Sequence, residues 1–202
     1  MAAHVGAGSR RYKRRLDEQS KNMISSPQRE ARMFSSLQSW LYKRSFERKI
    51  RQHGWTAIEV GDGRSGPVWA YTVGMGASSG GPELIVFGQP MSIANGLFWE
   101  AHRQFKTGNL VLRDGEVWRD LAGFDCAWRK VHPSQISTDV DWLLAAIARH
   151  HRITGSPEGL EAFQIFVPDE AGKYPWEEGF DEGFRRYQEE LYRPLPDDDP
   201  RR

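Results

Sequence analysis

Apolar and polar positions follow two different patterns along the chain, and the pattern changes near residue 52. In residues 25–51 the apolar side chains recur at helical spacing, on one face formed by Met33, Phe34, Leu37, Trp40 and Leu41. Ser26 and Pro27 are typical of a helix start, at the N-cap and first helical positions. The pattern predicts a basic amphipathic helix over residues 25–51, and the polar composition of residues 1–24 predicts a disordered tail.

From residue 52 onward, short apolar runs bounded by turn residues are typical of β-strands. The runs predict strands over residues 55–60, 68–73, 84–87, 109–113, 116–118, 124–131 and 163–167. Between the fourth and fifth of these, Asp114-Gly115 favours a two-residue hairpin turn, in which both central positions need a positive φ.

Two helices are predicted among these strands. The first begins at Ser92 and runs to Thr107, and the second begins at Thr138, with His151 on the same stripe as its apolar residues. The sequence therefore predicts an α+β fold, a mainly antiparallel sheet with two core helices, preceded by the basic N-terminal helical arm. The predicted core domain covers residues 52–194, and residues 195–202 form a polar tail.

The composition is that of a folded intracellular protein. Hydrophobic residues make up 39% and aromatic residues 12% of the chain, which is enough apolar material for a core. No apolar run approaches the roughly 20 residues that cross a bilayer, and no apolar segment follows the basic N-terminus as in a secretory signal. The lone Cys126 fits a reducing compartment and a buried position, so the predicted location is the cytoplasm.

Charge divides the chain into a basic arm and an acidic body. Residues 1–50 hold 12 Lys and Arg against 4 Asp and Glu, whereas the rest of the chain has a net charge of −7. Such an arm suits a nucleic acid or an acidic protein surface, and it could equally fold onto its own core or onto a neighbouring subunit. The candidate nucleic-acid contacts are Arg10, Arg11, Lys13, Arg14, Arg15, Lys43 and Arg44.

Motifs for common cofactors and catalytic groups do not occur in the sequence. There is no phosphate-binding loop, no dinucleotide fingerprint, no paired-cysteine zinc spacing and no hydrolase triad. The adjacent His150 and His151 would point about 100° apart on a helix, and such neighbours rarely chelate one metal. The sequence therefore predicts neither a metal nor a cofactor.

Two segments combine unusual residues in a fixed order: residues 70–74 followed by residues 82–86, and residues 163–177. With the Gly-Trp pair of the first predicted strand, they resemble the bacterial domain of unknown function 4262 family. The match covers roughly residues 52–180 and includes Gly54, Trp55, Tyr71, Thr72, Gly74, Pro82, Glu83, Gln164, Pro168, Asp169, Gly172, Pro175 and Trp176. Met75 replaces a usual Leu, and the long basic arm replaces the short cysteine-containing lead of many relatives. The resemblance implies where a site lies and implies no activity.

These residues permit a structural interpretation and a functional one. In the structural one, Trp55 and Trp176 fill core positions and the other polar residues cap turns and strand ends. In the functional one, a cleft at one end of the sheet is lined by Tyr71, Thr72, Glu83, Gln164 and Asp169, with Trp176 as its apolar wall.

Three functions follow from the functional interpretation and from the arm. The favoured one is a binding module that holds a small ligand or a peptide in this cleft. The second is an enzyme in which Glu83 or Asp169 is the general base and Tyr71 or a histidine is the acid. The third is nucleic-acid binding through the arm.

Overall fold

Helices and a sheet are described for the parts of the computed structural model that comprise residues 44–61, 68–185 and 187–199. The chain divides into two compact units, Met1–Glu47 and Arg48–Arg202. Residues 44–47 of the first unit are helical. The predicted tail over residues 1–24 and most of the predicted helix over residues 25–51 lie outside the described residues.

In the described part of the second unit, six strands form one sheet: β1 (Thr56–Val60), β2 (Trp69–Val73), β3 (Glu83–Phe87), β4 (Val117–Leu121), β5 (Phe124–Lys130) and β6 (Ala162–Phe166). Their order is β1-β2-β3-β6-β5-β4. Neighbouring strands of this sheet are antiparallel, except that β3 and β6 are parallel. The predicted α+β class with a mainly antiparallel sheet is confirmed.

The helices of the described chain are α1 (residues 44–53), α2 (Met75–Ser79), α3 (Met91–Thr107), α4 (Leu144–Thr154) and α5 (Glu182–Arg185), with a 3-10 turn at Pro133–Gln135. The two predicted core helices correspond to α3 and α4. Helix α3 ends at Gly108, whose φ of 71° is the left-handed conformation that favours glycine at a helix end.

The two long helices lie on opposite faces of the sheet. The buried residues of α3 belong to one core cluster with Ala70, Leu84 and Val86 of the sheet. Successive residues of a strand point to opposite faces, so Tyr71 points away from this cluster. Its hydroxyl accepts a hydrogen bond from Ala145 N at the start of α4, at 3.3 Å. The sheet therefore lies between α3 and α4.

The predicted hairpin around Asp114-Gly115 is wrong, because residues 109–113 form no strand. The turn itself forms, but it binds β5 instead of a preceding strand. The carboxylate of Asp114 accepts from Lys130 N at 2.8 Å, and Gly115 N donates to the carbonyl of Trp128 at 2.7 Å. The hairpin of this region is formed by β4 and β5.

The predicted start of the second helix at Thr138 is also wrong, since α4 begins at Leu144. Val140 and Leu143 are fully buried, but they lie in turns, where apolar residues can pack on a core without a helix. Ser137 organises one of these turns by accepting from Asp139 N at 3.1 Å. His151 is exposed, so it does not share the buried stripe of apolar residues on which the sequence places it.

The segment 187–199 has no strand or helix, yet the sheet holds it in place. Gln188 pairs with the backbone of Val167, donating to its carbonyl at 3.0 Å and accepting from its N–H at 3.4 Å. Leu191 and Leu195 are buried, and Leu195 N donates to Ser134 Oγ at 2.9 Å. The hydrogen-bonded and buried residues therefore extend into the segment that the sequence assigns to a polar tail.

Candidate functional site

Glu83, the first residue of β3, is a buried carboxyl whose two oxygens accept hydrogen bonds from the chain itself. The side chain is 5% exposed. Its Oε2 accepts from the hydroxyl of Thr72 at 2.6 Å and from Met75 N at 3.3 Å, while Oε1 accepts from Gly74 N at 2.7 Å. Thr72 Oγ1 in turn accepts from Leu84 N at 2.9 Å. Glu83 thus ties the end of β2 to the start of α2.

Gly74 makes this arrangement possible. Its φ is 95°, a conformation that side chains with a Cβ rarely adopt. A Cβ at this position would lie 2.8 Å from the carbonyl oxygen of Gly54 and 3.0 Å from Nε of Arg149. The Tyr-Thr-Val-Gly segment therefore needs glycine in order to turn its backbone N–H toward Glu83.

A cavity of about 360 Å³ opens beside this carboxyl, and we call it the Glu83 cavity. Its walls are mainly glycines and small apolar residues of α2, α4 and the loop before β6, and its polar lining consists of Glu83, Arg149, His150, Thr154 and Glu161. Ligand pockets for small molecules span roughly 300–1,000 Å³, so this cavity has the size for a small ligand.

Arg149 of α4 brings a positive charge to the Glu83 cavity. Its side chain is half-buried, and among the described residues its buried Nε has no hydrogen-bond partner. The arginine lies close enough to lower the pKa of Glu83 by its charge. However, both oxygens of Glu83 already accept hydrogen bonds from other groups of the chain.

The remaining polar groups of the cavity have partners in the protein. Lys130 Nζ binds Glu161 at 2.7 Å, and Nε2 of His150 lies 2.9 Å from the carbonyl oxygen of Glu158. Thr154 donates to the carbonyl of His150 at 2.9 Å and to that of Ser156 at 2.8 Å. Arg149 is thus the charged residue of this lining whose donors are least engaged.

Burial raises the pKa of Glu83 above that of an ordinary glutamate, because the charged form loses its hydration. The hydrogen bonds from Thr72, Gly74 and Met75 and the charge of Arg149 act in the opposite direction without cancelling the effect. The carboxyl therefore keeps its proton to a higher pH than an exposed glutamate does.

Tyr71 and Gln164 hold other parts of the fold. Tyr71 is buried, and its hydroxyl accepts from the start of α4 as described above. Gln164 is fully buried, accepts from Leu191 N at 2.9 Å and donates to the carbonyl of Glu189. Gln164 therefore secures the C-terminal segment across β6.

Asp169 organises a loop. Its Oδ1 accepts from Ala171 N and Lys173 N, both at 2.9 Å, and its Oδ2 accepts from Asp181 N at 2.9 Å. The N–H groups of Lys173 and Asp181, and more weakly that of Ala171, lower the pKa of Asp169 by stabilising the carboxylate. A carboxylate held ionised by three donors is poorly suited to take up a proton during catalysis.

Trp176 belongs to an aromatic cluster on β5, β6 and the C-terminal segment. It stacks on Tyr174 with ring centres 5.3 Å apart. It also lies in a T-shaped arrangement with Phe166, with ring centres 5.1 Å apart. The guanidinium of Arg129 lies 5.0 Å from the centre of the Trp176 ring. The indole remains 36% exposed, so it is a half-open part of this cluster.

The single cleft that the sequence predicts does not form. Glu83 begins β3, whereas Asp169 follows the last residue of β6, and these two strands are parallel. The start of one parallel strand and the end of its neighbour lie at opposite ends of a sheet. The structure therefore brings Thr72 and Glu83 together at one end and places Asp169 and Trp176 beyond the other.

Sequence reasoning missed Arg149. Ala146, Arg149 and Ile153 are spaced by three and four residues, so they share one helix face. A cation on the same helix face as the buried Ala146 is the signal in the sequence that points to Arg149. Of the candidate nucleic-acid contacts, Arg44 is described and exposed in α1, while Arg10, Arg11, Lys13, Arg14, Arg15 and Lys43 lie outside the described residues.

Within residues 44–61, 68–185 and 187–199, no three His, Cys, Asp or Glu side chains are grouped so as to hold a metal ion. Over the same ranges, no helix combines the length and the apolar character that a membrane span needs. Cys126 is buried, and burial raises the pKa of its thiol to about 12.

Comparison with known proteins yields a family match alone. A family model described as Domain of unknown function (DUF4262) matches residues 49–181, from α1 to the loop after Trp176. No curated protein and no solved structure matches the chain. The matched range contains the Thr72–Glu83 arrangement, all of the Glu83 cavity and the Asp169 loop.

Proposed function

This chain belongs to the family Domain of unknown function (DUF4262), and from that premise we propose that it is a binding module whose small ligand occupies the Glu83 cavity. The description of the family states no activity, so the proposal is supported by the site itself. The observation that carries it is the cavity of about 360 Å³ that Glu83 and Arg149 both line. A concave site with mostly apolar walls and a few polar groups is what a small-ligand pocket requires.

Binding is favoured over acid–base catalysis by the way Glu83 is held. Its raised pKa is the observation that suits a catalytic acid. Nevertheless, both of its oxygens already accept hydrogen bonds from Thr72 and from the backbone of Gly74 and Met75. A catalytic carboxyl needs an oxygen free to reach the substrate, so we assign Glu83 to shaping the cavity.

The setting of this module is proposed from composition. The whole chain has a single cysteine, which is buried, and this suits a reducing compartment such as a bacterial cytoplasm. The net positive charge of residues 1–50 supports a separate role of the arm in binding a nucleic acid or an acidic protein. Binding to a nucleic acid with and without residues 1–50, at two salt concentrations, tests that role.

The ligand proposal is tested by blocking the cavity. Ala77 lines the cavity and is exposed on α2, so a tryptophan at this position is expected to fill the opening. Ala148 is exposed on α4 outside the cavity lining, and Ala148→Trp is the matched control. Native mass spectrometry of freshly purified protein and ligand-observed NMR with a fragment library give the readouts.

We expect bound mass or fragment signals in the wild-type protein and in Ala148→Trp, and their loss in Ala77→Trp. A protein that binds no member of the library and carries no excess mass would contradict the proposal. Fragment signals that persist unchanged in Ala77→Trp would place the binding elsewhere on the molecule and would contradict it too.

A further inference from the structure

The Glu83 cavity contains an arginine that the protein does not engage in full. Arg149 lies half-buried in the wall, and its buried Nε finds no acceptor among the described residues. Burying a donor without an acceptor is unfavourable, and more so when the donor belongs to a charged group. Arg149 itself is half-exposed and lines the cavity, so its remaining guanidinium donors are the ones that a ligand can reach.

The protein's own carboxylates around the cavity are committed to other donors. Glu83 accepts from Thr72, Gly74 and Met75, and Glu161 binds Lys130. Among the described residues, the carboxylates of this lining therefore leave the Arg149 guanidinium without an ion pair. Guanidinium groups bind carboxylates through two parallel hydrogen bonds, which makes such a pair both stronger and more selective than a neutral contact.

The rest of the lining limits the charge and the shape of the ligand. Glu161 lines the same cavity and would repel a second negative charge, so a dianion is disfavoured. Away from these groups the wall is formed by glycines and by apolar side chains, which are those of Ala77, Pro82, Ala146, Ile153 and Leu160. The body of the ligand should therefore be uncharged and largely apolar.

We propose that the Glu83 cavity binds a small organic monocarboxylate, whose carboxylate pairs with Arg149 and whose apolar body lies along the small residues of the wall. This inference rests on the proposed function, because it requires that the cavity hold a ligand. It goes further by naming the residue that recognises the ligand and the chemical class of the ligand.

The test uses pairs of fragments that differ only in charge. Monocarboxylates such as benzoate and hexanoate are compared with their primary amides, benzamide and hexanamide, and with inorganic phosphate, by ligand-observed NMR and titration on the full chain. Arg149→Gln removes the cation, and Arg149→Lys retains the charge but not the paired donors. Arg152→Gln, three residues along α4 and exposed, is the control for an equal loss of charge.

We expect the acids to bind more tightly than their amides, and phosphate to bind more weakly than the acids. In Arg149→Gln the preference for the acids should fall about tenfold, in Arg149→Lys it should fall partly, and in Arg152→Gln it should persist. Circular dichroism and unfolding curves establish that each variant is folded before it is titrated.

The outcomes separate the two proposals. If amides bind as tightly as acids, or if Arg149→Gln keeps the preference for acids, then the cavity binds a ligand but this inference is wrong. If phosphate binds more tightly than the acids, the monocarboxylate class is wrong. If neither acids nor amides bind, and Ala77→Trp changes no fragment signal, the proposed function itself fails.

Discussion

Glu83 and Thr72 form the most constrained pair of side chains in the candidate site. The Thr72 hydroxyl donates to Glu83 and accepts from Leu84 N, so one small side chain serves a carboxyl and a strand backbone at once. Both residues are buried, so water cannot replace either bond. The shape of the cavity wall near α2 therefore depends on this pair.

Replacing Thr72 with valine tests the pair, because valine keeps the shape of threonine and removes its hydroxyl. The variant leaves Leu84 N without its partner, and Glu83 Oε2 keeps only the longer bond from Met75 N. We expect the free energy of unfolding, measured by urea denaturation, to fall by about 1–3 kcal/mol. Thr72→Ser retains the hydroxyl and should recover most of this loss, whereas equal stability of Thr72→Val and wild type would contradict the assignment.

Gly74 and Gly80 give a matched comparison at the two ends of α2. Both glycines have a positive φ, 95° at Gly74 and 76° at Gly80. A Cβ on Gly74 would lie 2.8 Å from the carbonyl oxygen of Gly54, whereas a Cβ on Gly80 would have no atom within 4 Å. We expect Gly80→Ala to lower the free energy of unfolding by about 1 kcal/mol from backbone strain alone. Gly74→Ala should lower it further. Equal losses would show that the close approach at Gly74 can relax.

At the scale of elements, the sequence predicts those strands and helices that a local pattern of apolar residues determines. Strands β1, β2, β3, β5 and β6 and helix α3 follow from short apolar runs, helical spacing and glycine ends. The failures have two causes. The Asp114-Gly115 turn binds β5, a partner distant in sequence that a local pattern does not contain. The buried Val140 and Leu143 lie in turns, one of which Ser137 organises, so apolar spacing alone does not distinguish these turns from a helix.

The candidate site shows the same limit. Thr72 and Glu83 come together because β2 and β3 pair through a short connection. The two residues are also close in sequence, and the sequence therefore predicts them in one group. The grouping of Asp169 with Glu83 failed because the parallel pairing of β3 with β6 cannot be read from the spacing of the motifs. Arg149 joins the site only through the packing of α4 beside Gly74.

Gln164 couples the C-terminal segment to β6, and its replacement tests that coupling. Gln164→Met keeps a similar volume but leaves Leu191 N and the Glu189 carbonyl without partners. We expect the free energy of unfolding to fall by about 2–4 kcal/mol, as two buried groups lose their bonds. Hydrogen exchange at Leu191 should become faster. Gln52→Met, at an exposed position of α1, should change neither quantity.

At the scale of the whole molecule, Glu83 and Asp169 shift stability in opposite directions with pH. Glu83 has a raised pKa in the folded protein. Its contribution to the free energy of unfolding is therefore complete below the ordinary pKa of 4.5 and is lost as pH rises through the raised pKa. Asp169 has a lowered pKa, so its contribution is complete above the ordinary value of 3.8 and is lost as pH falls through the lowered pKa.

The effect of Glu83 can be isolated with Glu83→Gln, which does not titrate. Above pH 4.5, the wild type should lose stability relative to the variant as pH rises, because the folded state holds the Glu83 proton more tightly than the unfolded state does. Urea denaturation of both proteins between pH 4.5 and 8 measures the difference. Parallel stability curves would mean that Glu83 titrates normally in the folded protein.

The position of β6 has a consequence for synthesis of the chain. β6 is the last of the described strands in sequence, yet it lies between β3 and β5 in the sheet. While the ribosome is still making the preceding residues, β1, β2 and β3 can assemble on one side and β4 and β5 on the other. Until β6 is made, the edge of β3 that pairs with β6 is uncovered, and β3 contains the apolar run Leu84–Phe87. Exposed apolar edges invite pairing with other chains. We therefore expect the nascent protein to be most prone to aggregation just before β6 emerges, and its sheet to close only afterwards.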